Sequence, residues 1–224
     1  MSFPLTRIGI LGGTFDPPHL GHLILAEEAF IQLELDLVLF LITPFPPHKT
    51  DIDITPLDHR LKMLELAIRD NTHFSISSVD IDRSPPHYAV DSLLILRGSY
   101  PEARIYYLMG WDSLCDLPHW YQPELFLMRC DGIGVMQRAI NEASYCALEE
   151  KLPGIQQKVI FLNAPRFDIS SREIRQRVER GLPFRYFLPE SVYKYIQAQK
   201  LYRKNAPTAT RTRVSASGGQ RSIH

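Results

Sequence analysis

The sequence predicts an α/β fold: a doubly wound parallel sheet with helices on both faces and a small C-terminal helical part. Short apolar runs, typical of buried strands, alternate with longer amphipathic segments that have helical spacing. The composition of the 224 residues, with 45% hydrophobic and 22% charged, is that of a folded globular protein. We therefore expect residues 1–203 to form one domain, with the C-terminal helical part at about 168–203.

The first strand–helix–strand unit is predicted near the N-terminus. Residues 7–11 form an apolar run that ends in a pair of glycines, and residues 37–42 form a second apolar run. Between them, residues 20–33 have a helical composition and follow a Pro-Pro pair that suits a helix entry. Together these segments predict a βαβ unit.

The alternation continues along the chain. Thr55 is expected to cap a second helix with Pro56 at its first position, and Gly98 to close a third helix at 88–96. Further elements are a helix at about 142–150 and strands at 74–81, 105–109, 133–136 and 159–162. Because ligands bind beyond the carboxyl ends of parallel strands, we expect a site in the loops after residues 11, 42, 81, 109 and 162.

Charge and cysteine content exclude several classes of protein. Lys plus Arg and Asp plus Glu are both 25, so the chain has no general affinity for polyanions, and phosphate recognition must be local. The three cysteines lack the CxxC spacing of a zinc knuckle, and their odd number argues against a disulfide framework. With neither a signal-peptide pattern nor a membrane-length apolar run, the sequence predicts a cytoplasmic protein without membrane attachment.

Residues 204–224 differ in composition from the rest of the chain. They contain four cations, no acidic residue and no apolar periodicity. We predict a disordered basic tail. A contact between this tail and a nucleic acid or a protein partner is the less favoured alternative, and it predicts strongly salt-dependent binding that deletion of the tail abolishes.

The loop after the first strand carries the strongest functional signal. Gly12 and Gly13 let the backbone turn sharply and present N–H groups to an anion. The loop has neither the Gly-Lys-Ser/Thr of a P-loop nor GxGxxG, so neither of those phosphate sites is expected. His19 and His22 lie three residues apart on the first helical turn, beside its positive end, and Gly21 between them leaves room for a nucleotide.

The segment GGTFDPPHLGH resembles the GGTFDPxHxGH signature of the HxGH nucleotidyltransferase superfamily, whose Rossmann-like members transfer nucleotidyl groups from a nucleoside triphosphate. The resemblance implies that His19 and His22 are catalytic and stabilise phosphate charge. It also implies that ATP is bound by Gly12, Gly13, Thr14, Phe15, Asp16 and Gly21.

The segment DISSREIR, which begins at Asp168, resembles the ISSTxIR segment of the same superfamily. By itself, Ser-Ser-x-Glu is also a common start of a structural helix. The resemblance implies that Arg175 is catalytic and that Ser170, Ser171 and Ile174 contact ATP. Arg172 stands where the superfamily usually has threonine.

Within the superfamily, residues 7–199 are most similar to the bacterial nicotinate-nucleotide adenylyltransferase family. The segments PPHK, HYAVDS, GWDSL and LPHW carry this similarity, with Ala89 and Trp111 as departures from its pattern. The resemblance implies that Asp112 binds a ribose hydroxyl and that Trp120 stacks on the pyridine ring. The implied mononucleotide-binding residues are Lys49, Tyr88, Asp112, Trp120 and Arg138.

The activity implied by the resemblance is transfer of the adenylyl group of ATP to nicotinate mononucleotide, giving nicotinate adenine dinucleotide and pyrophosphate in NAD biosynthesis. Mg²⁺ is expected to accompany ATP, without a metal site made of protein ligands alone. Expected partners are the two substrates, and a homo-oligomer stays open. The alternatives are nicotinamide mononucleotide or phosphopantetheine as acceptor, or a non-catalytic nucleotide-binding regulator. A regulator is expected to lack His19, His22 or Arg175, and all three are present.

Overall fold

The computed structural model describes residues 5–45, 54–136, 142–165 and 168–203. Six strands form one parallel sheet: β1 Arg7–Gly13, β2 Leu37–Ile42, β3 Phe74–Ser77, β4 Arg104–Gly110, β5 Gly132–Met136 and β6 Val159–Leu162. The helices of the described residues are α1 Leu20–Gln32, α2 Leu57–Ile68, α3 Ala89–Ser99, α4 Trp111–Asp116, α5 Pro123–Arg129, α6 Glu142–Lys151, α7 Ile155–Lys158, α8 Ser171–Glu179 and α9 Glu190–Ala198.

The strand order is β3-β2-β1-β4-β5-β6, and every neighbouring pair is parallel. The order changes direction between β1 and β4, where Leu11 lies between Phe40 of β2 and Leu108 of β4. At such a switch point the connections leave in opposite directions, and a crevice opens at the carboxyl ends of the strands. The predicted doubly wound sheet is therefore confirmed.

Alternate side chains of the strands supply two separate cores. Ile8 and Ile10 of β1 face the layer formed by α3 to α7, whereas Leu11 faces the layer formed by α1 and α2. Strand β4 divides in the same way, with Tyr107 in the first core and Leu108 in the second. Because both faces are covered, the strands are almost continuously apolar, as the sequence indicated.

The C-terminal helices build a third core at one end of the molecule. Ile174 of α8 and Ile196 of α9 pack with Met63, which lies on α2. Ser191 of α9 also donates a hydrogen bond to the Leu66 carbonyl of α2. This packing fixes α8 beside the end of the sheet where the first loop lies.

Several boundaries differ from the sequence-based prediction. Helix α2 begins at Leu57, with Pro56 at the capping position. Gly98 does not close α3, because the helix continues past it to Ser99. Leu96, in the same last part of the helix, is buried in the core. Strand β3 ends at Ser77, where the Ser78 carbonyl accepts hydrogen bonds from the next turn. The short helices α4, α5 and α7 were not predicted.

Candidate active site

Two cavities open at the carboxyl end of the sheet. The larger, about 580 Å³, lies between the loop after β1 and the start of α8, and the smaller, about 170 Å³, lies against β4 and the segment before α3. Gly13 and Thr14 line both cavities. Two ligands seated side by side would therefore meet at this point of the first loop.

The backbone of the first loop is shaped by its neighbours. A Cβ at Gly12 would collide with the hydroxyl of Tyr107 on β4, so only glycine fits there. Phe15 is buried and adopts a φ of 50°, a left-handed conformation that is costly for a non-glycine residue. The phenyl ring holds this conformation by packing against Phe40. Packing within the protein thus supports the conformation of the loop.

The two histidines of the loop lie together on the wall of the larger cavity. Their rings are stacked, with centroids 3.7 Å apart and planes 23° apart. The Nδ1 atom of His22 accepts a hydrogen bond from the His19 backbone N–H at 3.2 Å, which leaves Nε2 as the nitrogen that carries the proton of the neutral ring. A Cβ at Gly21 would lie 3.1 Å from the His19 ring, so this glycine makes room for the imidazole.

Asp16 is 4% exposed and is held from three directions. Its Oδ1 accepts a hydrogen bond from the Tyr202 hydroxyl at 2.7 Å, and its Oδ2 accepts one from the Thr55 N–H at 3.2 Å. Its carbonyl oxygen accepts a 2.6 Å hydrogen bond from Arg175. The carboxylate therefore orders the loop between β1 and α1.

Helix α8 is anchored to the same loop by its first turn. Ser170 caps the helix by accepting a hydrogen bond from the Glu173 N–H, and Ser171 donates a 2.8 Å hydrogen bond to the Pro17 carbonyl. Both serines and Arg175 line the larger cavity. The two sequence motifs, which are separated by about 150 residues, thus form opposite walls of one cavity.

Aromatic rings enclose the smaller cavity. Tyr88 and Tyr121 are stacked, with ring centroids 4.2 Å apart. Trp120 stands edge to face with Tyr107 at 6.0 Å and with Phe126 at 5.4 Å. Such a set of rings suits a flat aromatic ligand.

Arg60 of α2 links the loops that follow the first two strands. Its side chain is almost fully buried, and it donates hydrogen bonds of 2.8 to 3.0 Å to the carbonyl oxygens of Thr14, Thr43, Pro44 and Thr55. A guanidinium has five donors in a fixed plane, which lets one side chain hold four carbonyls. This arginine fixes Thr14 at the junction of the two cavities.

The predicted site residues divide between the cavities. The larger is lined by Gly13, Thr14, Phe15, Asp16, His19, Gly21, His22, Asp112, Ser170, Ser171 and Arg175, and the smaller by Gly12, Gly13, Thr14, Tyr88 and Trp120. Asp112 is thus on the side of the two histidines and not beside Trp120. Ile174 is fully buried in the third core and lines neither cavity. Lys49 and Arg138 lie outside the described residues.

Four residues around the site were given no functional role from the sequence: Arg60, His87, Tyr121 and Tyr202. Tyr121 directly follows Trp120 in the LPHW segment, so a search for paired aromatic residues would have found it. Arg60 lies in α2 and Tyr202 follows α9, and nothing in the sequence marks their long-range contacts.

The described residues hold no group of three or more His, Cys, Asp or Glu side chains suited to a metal ion. None of the helices in the described residues is both long enough and apolar enough to cross a bilayer.

Comparisons with known proteins identify the family of this chain. Residues 10–177 match the cytidylyltransferase-like family. A probable nicotinate-nucleotide adenylyltransferase of Thermomicrobium roseum is 45% identical over 199 residues, which covers 89% of this chain and 92% of the relative. The nicotinate-nucleotide adenylyltransferase of Bacillus subtilis is 36% identical over 198 residues, covering 88% of this chain and 99% of the relative.

Solved structures show the same fold. A nicotinic acid mononucleotide adenylyltransferase of Plasmodium falciparum, complexed with NaAD, superposes with a TM-score of 0.73 at 20% identity, covering 88% of this chain and 97% of that one. Together with the identity to the bacterial relatives over nearly their whole length, this shows that the chain belongs to the nicotinate-nucleotide adenylyltransferase family, within the cytidylyltransferase-like proteins.

Proposed function

We propose that this protein transfers the adenylyl group of ATP to nicotinate mononucleotide, forming nicotinate adenine dinucleotide and pyrophosphate. The observation that carries the proposal is the pair of cavities that meet at Gly13 and Thr14. One cavity lies beside two histidines and a helix start, and the other is lined by aromatic rings. This arrangement suits a triphosphate on one side and a pyridine mononucleotide on the other.

The larger cavity suits the ATP triphosphate. His19, His22 and Arg175 supply N–H donors along its wall, and the α8 start adds the positive end of a helix dipole. These groups are fixed before the ligand arrives, because Ser171 and Arg175 already bond to the loop backbone. Fixed donors of this kind stabilise charge that develops in a transition state without reorganisation.

The smaller cavity suits the pyridine ring of the acceptor. Its rings include Tyr88 and Trp120, two of the residues that sequence resemblance assigned to the mononucleotide. With the ring held there, the 5′-phosphate lies toward Gly13 and Thr14. Asp112, on the other side of that junction, is placed to bind a ribose hydroxyl close to the reacting phosphates.

The chemistry is an in-line displacement at the α-phosphorus. An oxygen of the mononucleotide 5′-phosphate forms a bond to this phosphorus, and the bond to the pyrophosphate oxygen breaks. The second pKa of a phosphate monoester is about 6, so the nucleophile is largely dianionic at neutral pH and needs no general base. The work of the protein is to align two anions and to offset their repulsion.

We expect Mg²⁺ to accompany the triphosphate. The ion accepts one or two carboxylates together with substrate phosphates and water. The carboxylates that line the larger cavity, and that such an ion would meet there, are Asp16 and Asp112. When bound, the metal would neutralise charge on the phosphates.

The free thiols Cys115, Cys130 and Cys146 suit a reducing cytoplasm, where we expect the reaction to take place.

A pyrophosphate-release assay tests the proposal. The full-length protein is incubated with ATP, Mg²⁺ and, separately, nicotinate mononucleotide, nicotinamide mononucleotide or phosphopantetheine. The account predicts the highest kcat/KM with nicotinate mononucleotide and formation of the corresponding dinucleotide. Release that is fastest with phosphopantetheine, or absent with all three acceptors, would contradict it.

A further inference from the structure

His87 is a buried histidine in the smaller cavity that the mechanism so far leaves without a role. Its side chain belongs to a residue only 4% exposed, and it lines the cavity beside Tyr88 and Trp120. Neither Nδ1 nor Nε2 has a hydrogen-bond partner among the described residues. Leaving buried polar atoms without partners is costly, so such a ring is typical of a site that completes its hydrogen bonds with a ligand.

The charged neighbours of His87 are already matched with one another. Asp80 is 2% exposed and forms a 2.9 Å ion pair with Arg83. It also accepts a 2.6 Å hydrogen bond from Ser92, and Arg83 donates to the carbonyl oxygens of Pro86 and Tyr88. Asp80 also lines the cavity, but Arg83 balances its charge, and the Arg83 donors are engaged with Asp80, Ser92 and these two carbonyls. Among the described residues that line the cavity, His87 is thus the group available to pair with a charge on a ligand.

Apart from His87 and Asp80, the described side chains that line this cavity are apolar, aromatic or hydroxyl-bearing. The Tyr107 hydroxyl stays protonated because burial raises its pKa, and Tyr88 and Tyr121 supply stacked rings. Phe45 faces the imidazole at 6.1 Å with nearly parallel planes. Among the described residues that line the cavity, His87 is therefore the one side chain that can become a cation beside a ligand anion.

We propose that His87 recognises the carboxylate of the acceptor's pyridine ring and so selects the acid over the amide. The inference rests on the proposed function, since it concerns the acceptor of that reaction. On binding, the imidazole takes one proton from solution and donates it in a hydrogen bond to the carboxylate. An amide offers no negative charge to hold that proton.

The pKa of His87 determines how the affinity for the acid should change with pH. In the protein without the mononucleotide, burial lowers the pKa of the His87 imidazole, the Asp80 charge raises it and the Arg83 charge lowers it. A bound carboxylate within about 4 to 6 Å raises the pKa, so the complex binds one more proton than the free protein. The extra affinity for the acid is fully present below the free-state pKa and is lost as pH rises through the bound-state pKa.

The test compares the two mononucleotides in the wild-type protein and in His87→Gln and His87→Phe. The measured quantity is the ratio of kcat/KM for the acid to kcat/KM for the amide, between about pH 6 and about pH 9. Both acceptors carry the same 5′-phosphate, so its titration cancels in the ratio. His73→Gln, an exposed histidine outside both cavities, is the matched control.

The wild type and the control are expected to lose acid preference as pH rises. Both His87 variants are expected to have a flat ratio that is lower by about tenfold or more at acidic pH, the loss expected for a hydrogen bond to a charged group. His87→Phe removes two unsatisfied nitrogens from the empty cavity and is expected to raise Tm by about 2 °C or more. A purely structural histidine would instead give a lower Tm with an unchanged ratio.

An unchanged ratio and slope in either folded variant, or an equal loss with both acceptors, overturns the role of His87 and leaves the proposed function intact. Absence of turnover in the wild type with either mononucleotide would instead refute the proposed function. A calorimetric measurement of proton uptake on binding of nicotinate mononucleotide, in buffers of different ionisation enthalpy, gives a second readout. The account predicts uptake by the wild type that is lost in His87→Gln.

Discussion

The Tyr202 hydroxyl donates a 2.7 Å hydrogen bond to Oδ1 of Asp16, and this contact joins two residues that are 186 positions apart. Tyr202 follows the last helix, and Asp16 lies in the loop that carries both histidines. Burial and the neighbouring Asp16 carboxylate raise the pKa of this tyrosine, so it remains a donor at every physiological pH. The end of the domain thus helps to fix the first loop of the site.

Replacing Tyr202 by Phe should destabilise the protein and impair catalysis together. The change leaves a buried carboxylate oxygen without its donor, which costs about 1 to 2 kcal/mol of unfolding free energy. It also loosens the loop around His19, so kcat should fall. Urea unfolding and steady-state kinetics measure the two effects. The control is Tyr186→Phe, at a residue 84% exposed, and equal stability of the two variants would refute the role of Tyr202.

Arg60→Lys should be costly although it preserves the charge. A lysine ammonium cannot reach four carbonyl oxygens that lie around a planar guanidinium, so some of them lose their donors. We expect a loss of about 1 to 3 kcal/mol in the free energy of unfolding. Arg69→Lys, at an exposed arginine paired with Asp70, is the matched control and should change stability little. A similar effect of both substitutions would contradict the account.

His22→Ala should lower kcat by about 10² or more, the loss typical of a group that stabilises transition-state charge. The fold should survive, because the ring lies on a cavity wall and not in a core. Steady-state turnover with both substrates saturating measures the effect, and circular dichroism verifies folding. Turnover equal to that of His73→Ala, an exposed histidine that packs against Phe30 near the C-terminal end of α1, would show that His22 has no catalytic role.

Trp120→Ala should mainly raise KM for the mononucleotide. The indole forms part of the aromatic wall of the smaller cavity, and its loss should weaken ring binding by about tenfold. The larger cavity does not include Trp120, so KM for ATP is the internal control. Varying each substrate in turn separates the two values. A change confined to ATP would place the pyridine ring elsewhere.

Asp36 should contribute to stability in a pH-dependent way. Hydrogen bonds from the backbone N–H groups of Thr6 and Arg7 lower the pKa of this carboxylate below its usual value of 3.8. Its contribution is present above that value and is lost as pH falls through the lower folded-state pKa. Asp36→Asn should therefore flatten the acid side of a stability profile measured by urea unfolding. An unchanged profile would show that these bonds do not favour the ionised form.

The sequence predicts most strands and the chemistry of the first loop because those signals are local. Buried parallel strands are continuous apolar runs, and the spacing of His19 and His22 places both rings on one side of α1. Helices α4 and α5 have only six and seven residues, too few for a helical period to show.

The residues that hold the loops of the site in place could not be predicted from the sequence, for a different reason. Arg60 and Tyr202 act through contacts that form only when distant segments pack, so no motif marks them. Asp112, which resemblance assigned to a ribose hydroxyl of the mononucleotide, lines the larger cavity with the histidines. A motif names the residues of a site, but the packing of α4 against the sheet decides which cavity each one lines.

The most direct test of the account is a crystal structure with nicotinate adenine dinucleotide bound. The account predicts the pyridine ring between Tyr88 and Trp120, the adenylyl phosphate beside His19 and His22, and the linkage across Gly13 and Thr14. A dinucleotide that binds in the reverse direction, or at another surface, would contradict it.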